Sequence, residues 1–171
     1  MNSTHPFWFI PLPESSAKLV LTPCPGIKDS SLPEALNVLK DQEVSAILTL
    51  MTLEEMEKNQ VAHLETETTQ QGMQWFHLPI ADDQGPTEVF ASAWAAAGPQ
   101  VHQLLDEGLS VAIHCKGGSG RTGLVAAQIM LERGMELDSS IKLIKEQRPG
   151  AFSSPLQQDY IQRIARSHGH K

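Results

Sequence analysis

The chain has 171 residues and a formal charge of −7 at pH 7. That length suits one domain over residues 1–171 with a single sizeable core. The acidity argues against a nucleic-acid or anionic-membrane partner. Cys24 and Cys115 are its two cysteines and make no disulfide framework. No apolar run reaches membrane-spanning length, and the start lacks the basic and apolar regions of a signal peptide. The expectation is a soluble, cytoplasmic monomer.

Residues 1–17 hold Pro6, Pro11 and Pro13 between aromatic residues, so they read as extended, with Trp8, Phe9 and Ile10 as an edge strand or lid. Lys18 to Leu21 reads as a short strand closed by Pro23, Pro25 and Gly26; Cys24, in that turn, reads as a small buried residue, with a resolving partner for Cys115 as the second reading. Ser31 and Glu34 form a capping box for a helix with Leu32, Leu36 and Leu39 on one face. Val44 to Leu50 reads as a buried parallel strand, and Thr52 with Glu55 repeats the capping box for a short helix to Lys58. A weaker helix follows from Val61 to Gln71, stopped at Gly72, and then a strand from Met73 to Leu78. Beyond the turn-rich segment Pro79–Pro86, Thr87 caps an alanine-rich helix to Glu107, which Gly98-Pro99 should kink or break. Phe90 and Trp94 read as core; His102 has no partner pattern.

Ser110 to Cys115 reads as a strand leading into a glycine-rich loop, and an apolar helix crossing the interior runs from Arg121 to Arg133. Asp138 reads as the cap of a helix that ends before Pro149. Pro155 starts the last helix, to about Arg166, and residues 167–171 read as a frayed tail containing His168 and His170. No His, Cys and acid cluster has metal-ligand spacing, so neither a metal nor another cofactor is expected.

The chemistry concentrates between His114 and Gly123. A strand-to-helix loop converges its backbone N–H groups beside the positive end of the helix dipole, which suits a tetrahedral anion. Lys116, Gly117, Gly118, Ser119, Gly120 and Arg121 form that phosphate cradle, with the three glycines allowing positive φ and close approach. The same amides stabilise negative charge on Cys115, the nucleophile. Arg121 offers two phosphoryl oxygens a planar fork, and Thr122 is placed to donate its hydroxyl to the departing sulfur. His114 orients the loop by hydrogen bonds. Gly118 to Gly123 also fits a dinucleotide-binding fingerprint, but that belongs to a first βα unit and needs neither the cysteine nor the arginine. A buried structural cysteine leaves Arg121 and Thr122 equally unexplained. For a general acid, the loop after the fourth strand supplies two neighbouring carboxylates, Asp82 and Asp83.

The segments WFHLPIADDQGPT, HCKGGSGRTGLVAA and RPGAFSSPLQQDYI resemble blocks of the cysteine-dependent protein tyrosine and dual-specificity phosphatases. The likeness is greatest to the kinase-associated phosphatase group and its bacterial relatives, over roughly residues 20 to 165. The resemblance implies one α/β domain whose central, mostly parallel sheet is flanked by helices, with the phosphatase loop between the last strand and the central helix. It implies metal-independent hydrolysis of a phosphorylated protein, or of a small phosphorylated molecule, through a cysteinyl-phosphate. It places the acid at Asp82 and a water-positioning glutamine at Gln157, with Gln158 adjacent. A phosphoinositide substrate is a second reading, since Lys116 matches the first basic loop residue of the tensin-like lipid phosphatases. Ser119 replaces their second, which lowers the loop's charge. A third reading is a non-catalytic module that binds phosphorylated residues.

Overall fold

The computed structural model describes residues 5–13, 15–27, 30–82 and 85–167. Asp83 and the tail from His168 onward lie outside the described residues. Five strands, β1 (Trp8–Pro11), β2 (Lys18–Thr22), β3 (Val44–Thr49), β4 (Gln74–His77) and β5 (Ser110–His114), form one sheet in the order β1-β2-β5-β3-β4. β1 lies antiparallel on β2, and the other pairs are parallel. The helices of the described residues are α1 (Leu32–Asp41), α2 (Leu53–Lys58), α3 (Leu64–Gln70), α4 (Glu88–Asp106), α5 (Gly120–Glu132), α6 (Leu137–Gln147) and α7 (Pro155–Ser167). The expected α/β architecture is present.

Alternation along the central strands divides the core between the two faces. Leu19, Leu21, Ala46, Leu48, Val111 and Ile113 pack with α4 to α7, whereas Val20, Ile47 and Ala112 pack with α1 to α3. Every residue of β5 is buried, which places its C-terminal end, and Cys115, at the centre of the sheet's upper edge. None of the described helices is long and apolar enough to cross a membrane.

Three element boundaries differ from the sequence reading. α4 runs unbroken through Pro99. A proline inside a helix costs about 3 kcal/mol, but burying each of Phe90, Trp94, Val101 and Leu105 contributes roughly 1.5–3 kcal/mol. Packing therefore carries the helix past the lost amide. α3 begins at Leu64, because Val61 sits in a turn whose carbonyl accepts from the Leu64 amide. α6 is capped by the extended backbone of Glu136, leaving Asp138 within the first turn, where its charge suits the helix dipole. Both capping boxes are formed as read.

Candidate active site

The loop from Cys115 to Gly120 is held from outside by its carbonyls. His114 Nδ1 lies 3.0 Å from the Cys115 carbonyl, and the Cys24 amide donates to the Lys116 carbonyl at 3.0 Å. Arg148, the C-terminal cap of α6, donates Nη2 to the Gly117 carbonyl at 2.8 Å and Nε to the Gly118 carbonyl at 3.0 Å. In a trans peptide the N–H points away from the C=O, and no described peptide is cis. Anchoring these four carbonyls outward therefore turns the amides of Lys116, Gly117, Gly118 and Ser119 toward a common centre. The Gly118 amide meets Cys115 Sγ there at 3.3 Å. Thr122 donates its hydroxyl to the same sulfur at 3.1 Å.

Of the loop glycines, only Gly118 has positive φ, at 81°, and a Cβ there would stand 2.7 Å from the Pro23 nitrogen. The sequence reading asked positive φ of Gly117 and Gly120 as well. At Gly120 the constraint is steric instead, since a Cβ would meet Gln157 Nε2 at 3.3 Å. Gly123 has a packing reason of its own: its Cβ would meet that of Ala151 at 2.7 Å, so α5 rests directly on the turn before α7.

Arg121 is buried on α5 and uses its guanidinium in an ordered way. Nη1 and Nη2 donate end-on to the two carboxylate oxygens of Glu55, at 2.6 and 2.9 Å, and Nη1 also donates to the Ile80 carbonyl at 2.8 Å. Among the described residues no hydrogen bond takes Nε–H or the second Nη2–H, which form one side-on fork. Asp82 Oδ1 stands 3.5 Å from Nη2 on an otherwise exposed side chain. Burial opposes the charge on both partners of the main pair. The Glu55 bond and the negative charges of Cys115, Glu55 and Asp82 nevertheless hold Arg121 above its usual range. Burial likewise raises the Glu55 carboxyl, but the Arg121 bonds and the Thr52 amide more than offset it.

Cys115, Lys116, Gly117, Ser119, Gly120, Arg121, Asp82 and Gln157 all line one cleft of about 400 Å³, together with Ile27, Gly150 and Ser153. Gln157 is buried there, and its Oε1 has no partner among the described residues. Gln158 turns away and donates to the Phe152 carbonyl at 2.6 Å. The adjacent glutamines are thus separated by the helical turn. Cys24 lies buried behind the loop, where desolvation, with Cys115 adding, pushes its thiol up to about 12. His102, which had no pattern in sequence, is not among the residues lining this cleft and pairs with Glu132 at 2.8 Å, α4 against α5.

Two residues of the loop's support carried no separate signal in the sequence. Glu55 was accounted for by its capping box, and its pairing with Arg121 adds a second role across 66 positions. Arg148 reads as a basic residue at a helix end, which the helix dipole alone explains. In the fold its guanidinium also lies 3.9 Å from the centre of the Trp8 ring, so β1 braces it. Arg148→Ala is expected to weaken binding of inorganic phosphate or tungstate about tenfold, since two charge-assisted bonds to the cradle are lost. Calorimetric titration checks this; unchanged affinity would mean the loop holds its shape without the clamp.

A thiol at the foot of converging amides, between the central strand and a buried helix, defines the class of cysteine-dependent phosphatase folds. Among solved structures, the chain superimposes on a kinase associated phosphatase carrying serine for its catalytic cysteine with a TM-score of 0.85 and 23% identity, over 98% of this chain and 97% of that one. It matches PTPMT1 in complex with PI(5)P with a TM-score of 0.70 and 17% identity, over 95% and 97%. At these identities the likeness is one of fold. The probable protein tyrosine phosphatase type IVA A of Dictyostelium discoideum is 27% identical over 59% of this chain and 66% of that protein. Protein tyrosine phosphatase type IVA 3 of Bos taurus is 39% identical over 49 residues, so this chain spans only 28% of that relative. The family model described as "Polymorphic toxin system, DSP-PTPase phosphatase" matches residues 26–135, more than half of the chain. The chain belongs to that family.

Proposed function

We propose that this protein hydrolyses phosphomonoesters through a cysteinyl-phosphate, acting as a protein tyrosine or dual-specificity phosphatase in a reducing, cytoplasmic setting. The observation that carries the reading is the Cys115 sulfur, which accepts two hydrogen bonds at the foot of the amide cradle, with Arg121 in the same cleft. Cys115 Sγ attacks phosphorus in line, the P–O bond to the substrate breaks, and Asp82 gives its proton to the departing oxygen. Arg121 and the loop amides hold the charge that spreads over the equatorial oxygens. Water then attacks phosphorus, Asp82 takes its proton, and the P–S bond breaks to release inorganic phosphate and restore the thiolate. Thr122 donates to the leaving sulfur, and the unpartnered Oε1 of Gln157 supplies an acceptor for the attacking water.

Two cationic side chains line the cleft, Lys116 and Arg121, with Ser119 beside them and Asp82 opposing. That charge balance favours a single phosphoryl group over a polyphosphorylated headgroup. Phosphotyrosine and phosphothreonine peptides, a phosphoinositide and a nucleotide, assayed side by side, test the reading. Peptide turnover well above that of the others is expected, and a preference for the phosphoinositide would overturn the substrate assignment.

The acid has its own test. A p-nitrophenolate leaves without much protonation, whereas an alkoxide needs it. Asp82→Asn is therefore expected to slow phosphothreonine turnover about 10²–10³-fold and aryl phosphate turnover far less. It should also flatten the alkaline limb of the pH–rate profile, along which the acid loses its proton. Asp83→Asn should change little; if it carries the leaving-group dependence, the roles are reversed.

A further inference from the structure

The upper edge of the sheet carries a row of polar side chains in register. Thr22 pairs with His114 across β2 and β5, His114 with Thr49 across β5 and β3, and Thr49 with His77 across β3 and β4. From β4, Trp75, two residues before His77, places its Nε1 2.8 Å from Thr49 Oγ1, and the same oxygen lies 2.7 Å from His114 Nε2. His114 Nδ1 is the atom that meets the Cys115 carbonyl. We infer that Thr49 and Trp75 are positioning residues that hold the His114 ring as its Nδ1–H tautomer and, through it, aim the first amide of the phosphate cradle.

Donor counting gives the direction of each bond. A carbonyl only accepts, so Nδ1 carries a hydrogen. His114 is fully buried, and burial lowers its pKa to about 4, so the ring is neutral and Nε2 is bare. Thr49 must then donate its single hydroxyl hydrogen to Nε2. An indole N–H only donates, so Trp75 fills the lone pair that the Thr49 oxygen presents on its other side. The chain of donors runs Trp75 to Thr49 to His114 to the Cys115 carbonyl, with none left over. Its end point matters because that carbonyl and the Lys116 amide share one trans peptide. Holding the carbonyl outward points the amide inward. Without Thr49 the ring keeps one anchor of two, and rotation about its χ angles releases the carbonyl.

Histidine-selective ¹⁵N labelling of the full chain reads the tautomer directly, with no need for turnover. The wild type should show His114 with a protonated Nδ1, a bare Nε2 and a slowly exchanging Nδ1–H. Thr49→Val should speed that exchange and weaken inorganic phosphate binding about five- to tenfold. Trp75→Phe, which keeps most of the ring, should give a smaller change in the same direction, and Thr49→Ser should restore both signals. The kinetic arm rests on the phosphatase reading: Thr49→Val should lower kcat/KM for an aryl phosphate about tenfold, and Thr49→Ser should restore it. A protonated Nε2 in the wild type, or Thr49→Val with unchanged exchange and phosphate affinity, would overturn the inference. A wild type inert toward every phosphomonoester, with the exchange pattern as described, would overturn the phosphatase reading and leave this one standing.

Discussion

Cys115→Ser is expected to reduce turnover on the order of 10⁴–10⁶-fold while leaving oxyanion binding intact. The two properties separate because they belong to different atoms. The P–S bond requires the sulfur, since among the described residues no base hydrogen-bonds to that position to activate a serine hydroxyl: the Gly118 amide and the Thr122 hydroxyl both donate to it. The anion site belongs to the loop amides and the Arg121 fork, whose anchors at His114, Cys24, Arg148 and Glu55 the substitution does not touch. The proposed nucleophile is a thiolate, and its removal would also relieve repulsion of a bound phosphate, so affinity should hold or improve. Aryl phosphate kinetics and tungstate titration on the same preparation check both halves. Turnover surviving in the serine variant would remove the covalent mechanism.

Arg121→Lys should cost about 10³-fold in kcat, against only about tenfold in phosphate affinity. The wild-type guanidinium works on two edges at once. Its end-on fork is committed to Glu55, and in the proposed mechanism its side-on fork, met at rest only by the loose Asp82 contact, receives the phosphoryl group already oriented. A lysine ammonium has three rotatable donors on a flexible stem. It cannot hold both Glu55 oxygens and also follow two equatorial oxygens as they spread apart. Ground-state attraction is largely a matter of charge, which lysine keeps; transition-state geometry is not. The variant leaves Glu55 partly buried with a poorer partner, so some loss of stability should accompany the loss of rate. Steady-state kinetics with a parallel unfolding measurement separates them. An unchanged kcat would make Arg121 a scaffold residue.

The resting contact between Asp82 and Arg121 bears on both variants. At 3.5 Å it is a loose pairing on an exposed carboxylate, worth little against solvent screening. In the proposed mechanism a bound phosphoryl group takes over Arg121 Nη2, and Asp82 is then released to face the leaving oxygen.

The chain's own sequence determined what is local. Strand and helix periods, both capping boxes, the glycine-rich turn after a buried strand, and Cys115, Arg121 and Thr122 at their spacing were all legible. Each rests on backbone geometry within a few residues. The boundaries that slipped at Val61 and Asp138 turned on where a turn or an extended cap residue fell, and at Gly98-Pro99 packing carried the helix past the proline. Only the tertiary structure decided what joins distant segments. Gln157 and Gln158 are interchangeable on paper, and the rotation of α7 puts one in the cleft and the other against Phe152. Glu55 looked complete as a cap, so nothing in the sequence asked for its partner on α5. Arg148, Thr49 and Trp75 serve the loop from α6, β3 and β4 through hydrogen bonds, and those depend on side-chain direction, which the sheet's register sets and no local spacing encodes.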